Sequence, residues 1–163
     1  MSDIIFVRQI AEEIARIIET LRSTLNLKAT IIGEMNFQPS TGVTNLVNGV
    51  WIIPTPVMNN AADSIPKILI QQYYYRVIYL RRIAVNENPV TRSMADVATI
   101  INALTDKIHC PDITTLPATA QILWMLVKSV EWNPGEDSYV QQFGADLTAL
   151  AFNIEVQVRC RRG

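Results

Sequence analysis

The single histidine, His109, stands beside Cys110, the one nucleophile-and-base pair in the sequence. Adjacent positions at a helix end point in different directions, so the two side chains are poorly placed to share a proton. The plainer reading is a histidine whose charge suits the last turn of a helix, with Pro111 ending that helix. Together with the distant Cys160 the pair falls short of a structural zinc set, so no metal is expected. The six glycines, at Gly33, Gly42, Gly49, Gly135, Gly144 and Gly163, make no phosphate-cradling cluster, which argues against a nucleotide cofactor. The adjacent acids Glu12 and Glu13 read as a solvated helix face, and Glu136 and Asp137 as a turn. The expectation is a protein with no catalytic residue, no metal and no cofactor, and so not an enzyme.

The arginines are more telling. They make up ten of the fourteen basic residues and cluster at Arg76, Arg81 and Arg82 and again at Arg159, Arg161 and Arg162. Arginine pairs carboxylates in planar, two-pronged fashion and is enriched at interfaces. Two readings stand, solvated strand ends and subunit contacts; DNA binding ranks below both because no groove-reading motif accompanies the arginines. A second outlier is residues 35–62, which hold no charged side chain. Interface centres are depleted of charge, so this stretch is either a contact loop or a loop covering its own core. Trp51 and Met58 within it complete the set of candidate contacts.

Composition agrees with surface meant to be covered. Of 163 residues 49% are apolar and 18% charged, at a net charge of −1, where about a quarter charged is usual. One or at most two domains fit this length, with ample core. Two cysteines are too few for a disulfide scaffold, and both are expected as reduced thiols. The opening MSDIIFVRQIAEEIARIIE carries charges every few residues, so no secretory leader is expected, and no stretch suits a membrane helix.

The elements that must position these residues follow from periodicity. Residues 3–25 carry apolar side chains at three- and four-residue intervals, with Ser2 or Asp3 as cap and Glu12, Glu13, Arg16, Glu19 and Arg22 on the other face, predicting one long helix. Residues 28–35 and 46–53 read as strands, the second stopped by Pro54 and Pro56. KILIQQYYYRVIYLRRIAV, residues 67–85, reads as a strand with Tyr73, Tyr75, Val77 and Tyr79 on one side. Residues 86–110 predict a second helix, with Pro89 in its first turn, Ser93 and Asp96 as a capping box, and a stripe of Met94, Val97, Ile101, Leu104 and Ile108. QILWMLVKSVE, residues 121–131, reads as a central strand, and residues 149–160 alternate as the clearest strand of all. The fold class expected is α+β: a single mostly antiparallel sheet packed against two helices, in one domain of residues 1–163 with a long uncharged loop at 35–62.

Gly144, Ala145, Asp146, Leu147 and Thr148 lead into the final strand LAFNIEVQV after a tryptophan-bearing strand and a turn. This Ala-Asp-Leu-Thr entry, with the order of helix, strands, second helix and closing hairpin, resembles the lambda-type tail terminator proteins of long-tailed bacteriophages. The chain departs from them in a longer 35–62 region and a longer arginine-rich tail. The resemblance implies a virion neck protein, assembled in the host cytoplasm, that forms a homo-hexameric ring, caps the tail tube and ends its growth. Its implied partners are other copies of itself, the tail tube protein, head-tail connector or stopper proteins and the tail sheath, with DNA only passing through the lumen and no membrane. Another neck component, such as a connector or completion protein, is the alternative, and a small cytoplasmic ligand-binding or enzymatic domain a lower one.

Overall fold

A computed structural model describes residues 6–31, 48–60, 68–82, 86, 88–105, 120–132 and 147–161. The elements are α1 (Val7–Glu19), α2 (Arg22–Leu25), β1 (Lys28–Ile31), β2 (Gly49–Asn60), β3 (Ile68–Arg82), α3 (Pro89–Thr105), β4 (Ala120–Trp132) and β5 (Leu147–Arg161). The strands form one sheet in the order β1-β2-β3-β5-β4, antiparallel except for the β1–β2 pair. Both long helices pack on one face, α1 against β1, β2 and α3, and α3 against β4 and β5. The expected α+β class is the observed one.

The predicted first helix is shorter than its apolar stripe. Thr20 N–H is shared between the Arg16 and Ile17 carbonyls, and Leu21 N–H reaches Ile18 O at 3.0 Å, so the backbone tightens and breaks before α2. Asn26, at φ 53°, then turns the chain into β1, the left-handed conformation that asparagine tolerates. Residues 1–5, and with them the expected Ser2 or Asp3 cap, lie outside the described residues. The start of α1 is instead held by β3: Phe6 N–H donates to the Tyr73 hydroxyl at 3.1 Å, and the Tyr75 hydroxyl donates to Val7 O at 2.7 Å. Glu13, expected on the solvated face, is buried and ion-paired to Arg16.

Contrary to expectation, β2 does not stop at its prolines. It continues through Pro54 and Pro56 to Asn60, with a break in register between Pro54, opposite Tyr75, and Met58, opposite Tyr73. The reason is position. The last β1 pairing is Ile31 with Ile52, so beyond it no described strand lies on the outer side of β2 and a missing N–H costs no ladder bond there. Residues 49–60 of the uncharged stretch are therefore strand rather than loop; residues 35–47 and 61–62 lie outside the described residues.

Two further expectations are corrected. Helix α3 is capped by Asn88, whose Oδ1 accepts from Thr91 N–H at 3.2 Å; Ser93 and Asp96 lie inside the helix and are buried. Met94 is 49% exposed, so the buried stripe is Ser93, Asp96, Val97, Ile100 and Leu104. Strand β4, despite its nearly continuous apolar run, is an edge strand rather than a central one. It slips register at Ile122/Trp124 and again at Lys128/Glu131, where Ser129 takes φ 55°. The predicted β3 and β5 are the sheet's paired centre, from Ile68–Arg161 to Arg82–Leu147.

Candidate interaction surface

Alternation along β3 and β5 sorts their side chains between two faces. Tyr73, Tyr75, Val77 and Tyr79 face the helices with Leu150, Phe152, Ile154, Val156 and Val158, all buried in the main core. Burial pushes the Tyr73 hydroxyl up to about 12, and raises those of Tyr75 and Tyr79 well above the usual phenol value. The helix face also holds a buried ionic knot. Asp96 Oδ2 accepts from the Tyr79 hydroxyl at 2.6 Å and pairs with Arg81 Nε at 3.0 Å and Arg92 Nε at 3.3 Å. Arg81 also donates to the Leu25 carbonyl, tying β3, α3 and the end of α2 together.

The opposite face is unlike it. At one end Trp51, Ile78, Leu80, Ala149 and Ala151 are buried. Polar cross-strand pairs follow. Arg76 reaches Asn153 Oδ1 and Glu131 Oε2, each at 3.4 Å, and Lys128 Nζ meets Glu155 Oε2 at 2.5 Å. That carboxylate raises the pKa of the exposed Lys128 ammonium. Tyr74, Lys128, Ser129, Asn153 and Glu155 border a shallow open depression of about 250 Å³. At the far end of this face Arg159 pairs across the strands with Ile70 and Gln121, and Arg161 with Ile68. Among the described residues neither guanidinium has a hydrogen-bond or ion-pair partner.

The predicted contact residues thus divide. Trp51 is fully buried and Arg81 is 8% exposed, so neither offers a side chain to a partner; each faces into its own chain because β2 and the end of β3 are covered on both sides. Arg76 belongs to the polar ladder, and Arg82 is exposed where its own backbone N–H meets Asn48 Oδ1 at 2.9 Å. Arg159 and Arg161 stand side by side on one face. Arg162, His109, Cys110 and the side chain of Met58 lie outside the described residues. What the sequence reading missed is the edge position of β4, where Leu126 and Val130 are 46% and 45% exposed. The available signal was Lys128-Ser129 interrupting the apolar run.

Cys160 is buried, which raises its thiol pKa and disfavours the thiolate. Among the described residues no group of three or more His, Cys, Asp or Glu could hold a metal, and no helix is long and apolar enough to cross a membrane.

No protein-family model and no curated protein sequence matches this chain. Its fold is similar to that of a chain in the solved structure titled "Virion of native gene transfer agent (GTA) particle". The TM-score is 0.51 at 11% identity, over 94% of this chain and 95% of that one. The two chains share an architecture across nearly their whole lengths.

Proposed function

We propose that this chain is a structural protein of a phage-like virion, and within it a neck protein. In this reading it forms a homo-hexameric ring that caps the tail tube, ends its polymerisation and presents a docking surface to head-tail joining proteins. The observation that carries the reading is the coextensive likeness to a virion component, 94% of one chain against 95% of the other. The Ala-Asp-Leu-Thr entry into β5 adds the resemblance to tail terminators. The work is geometric and uses no catalytic group, cofactor or metal. It needs a stiff sheet and surfaces of one copy that fit different surfaces of the next, so that rotation closes the assembly.

The test is electron microscopy of the purified chain, alone and with tail tubes. Closed rings, and tubes that stop growing when the chain is added, are the expected results. A chain that stays monomeric and leaves tube length unregulated overturns the reading. The same likeness suits another neck component such as a connector or completion protein, which is separated by the level of the particle at which the chain is found.

A further inference from the structure

The sheet ends in two unlike edges. On β1 the Ala29 N–H is taken by Glu19 Oε1 at 2.9 Å, so the end of α1 caps that edge with a carboxylate. On β4 the described residues supply no such cap. Lys128, Ser129, Val130 and Glu131 are all exposed, and Leu126 and Val130 leave nearly half their surface open. An uncapped edge strand beside exposed apolar side chains is a template for one more strand.

Charge narrows what that strand carries. Arg76 on β3 reaches over Asn153 on β5 to the Glu131 carboxylate on β4, so an arginine of this sheet spans one intervening strand. Arg159 on β5 stands in the same relation to whatever lies beyond Gln121 on β4, and Arg161 extends past the first β4 residue. Both are without partners among the described residues. The described framework holds eleven of the fourteen basic residues but six of the fifteen acidic ones. Those six, Glu12, Glu13, Glu19, Asp96, Glu131 and Glu155, are each ion-paired already. The other nine acids belong to the stretches outside it, so the carboxylates that a second copy can offer to this framework lie in those stretches.

We propose that β4, flanked by Arg159 and Arg161, is the acceptor edge to which a second copy of this chain adds an extended, carboxylate-bearing stretch. The inference rests on the ring reading and names its contact: framework against connecting stretch, a head-to-tail arrangement rather than edge against like edge.

The test compares wild type, R159Q/R161Q and L126K as full-length chains by sedimentation velocity, at salt from about 0.05 M to about 0.5 M. Thermal melts confirm that each variant folds. Wild type is expected to assemble at low salt and to dissociate as salt rises. Each variant is expected to assemble at least about tenfold more weakly, and R159Q/R161Q to lose most of the salt dependence. If wild type assembles and R159Q/R161Q does so equally well, this inference is overturned and the ring reading stands. A wild type that is monomeric at every concentration overturns both. An R159Q/R161Q variant that assembles normally but no longer shifts the anisotropy of a labelled DNA duplex that wild type binds also overturns the inference, and assigns the arginines to nucleic acid.

Discussion

Tyr79 and Asp96 show how much one hydroxyl holds in this chain. The phenol donates at 2.6 Å to a carboxylate that is 4% exposed and already faces Arg81 and Arg92. Tyr79→Phe leaves that buried acceptor short of a donor and is expected to cost about 1–3 kcal/mol in urea unfolding. Tyr74→Phe removes a longer hydroxyl bond, 3.2 Å to Gln72, on the half-buried face; it is expected to change stability by no more than about 0.5 kcal/mol. The three buried phenols also set an alkaline limit. Their pKa values are raised above 10.0 in the fold, to about 12 for Tyr73, so above pH 10 the unfolded chain sheds protons that the folded chain keeps. Stability is therefore whole below about pH 10 and falls as pH rises from there towards 12. At pH 11 the phenolate absorbance of Tyr73, Tyr75 and Tyr79 is expected to be missing from the folded protein and to appear on unfolding; full tyrosine ionisation without loss of the far-ultraviolet signal refutes this. The sequence announced these tyrosines as one face of a strand, but the Asp96 knot was hidden, because Ser93 and Asp96 also fit a capping box.

At the scale of elements, alternation was the dependable signal and helical phase the weaker one. Strands β3 and β5 lie where their period-two patterns put them. Helix α3 is rotated from its expected stripe because Asp96 is drawn inward by Tyr79 and two arginines, which carries Met94 out to solvent. Two substitutions separate the stripes: Leu104→Ala is expected to destabilise by about 2–5 kcal/mol, and Met94→Ala by under about 0.5 kcal/mol, in denaturant melts. The passage of β2 through two prolines was not legible, since it depends on which neighbours a strand has along each side. The edge position of β4 was only faintly legible, in the Lys128-Ser129 interruption of its apolar run. An apolar run denotes burial on both faces or contact with something outside the chain, and pattern alone does not choose between them.

Over the whole molecule the sheet is asymmetric in protection. Among the described residues, strands β3 and β5 are paired along both sides, whereas β4 is paired along one. Amide hydrogen exchange is expected to be slowest in β3 and β5 and faster at alternate amides of β4; β4 amides as slow as those of β5 in the isolated chain contradict an open edge. The composition already held the outline of this asymmetry, in a low charged fraction and clustered arginines. It placed the candidate contact in residues 35–62, whereas part of that stretch is interior strand with Trp51 fully buried. Within it Val50, Trp51 and Ile52 are buried on both faces of β2, and among the described strands Leu126 and Val130 of β4 and Arg161 at the end of β5 are exposed.

The two register slips in β4 bear on what the chain avoids. Between Ile122/Trp124 and Lys128/Glu131 the regular ladder runs only over Trp124–Lys128, and Ser129 in the left-handed region bends the strand after it. A long, flat strand loses regular pairing at both kinks. An edge segmented in this way resists the indefinite strand-on-strand stacking that makes fibres.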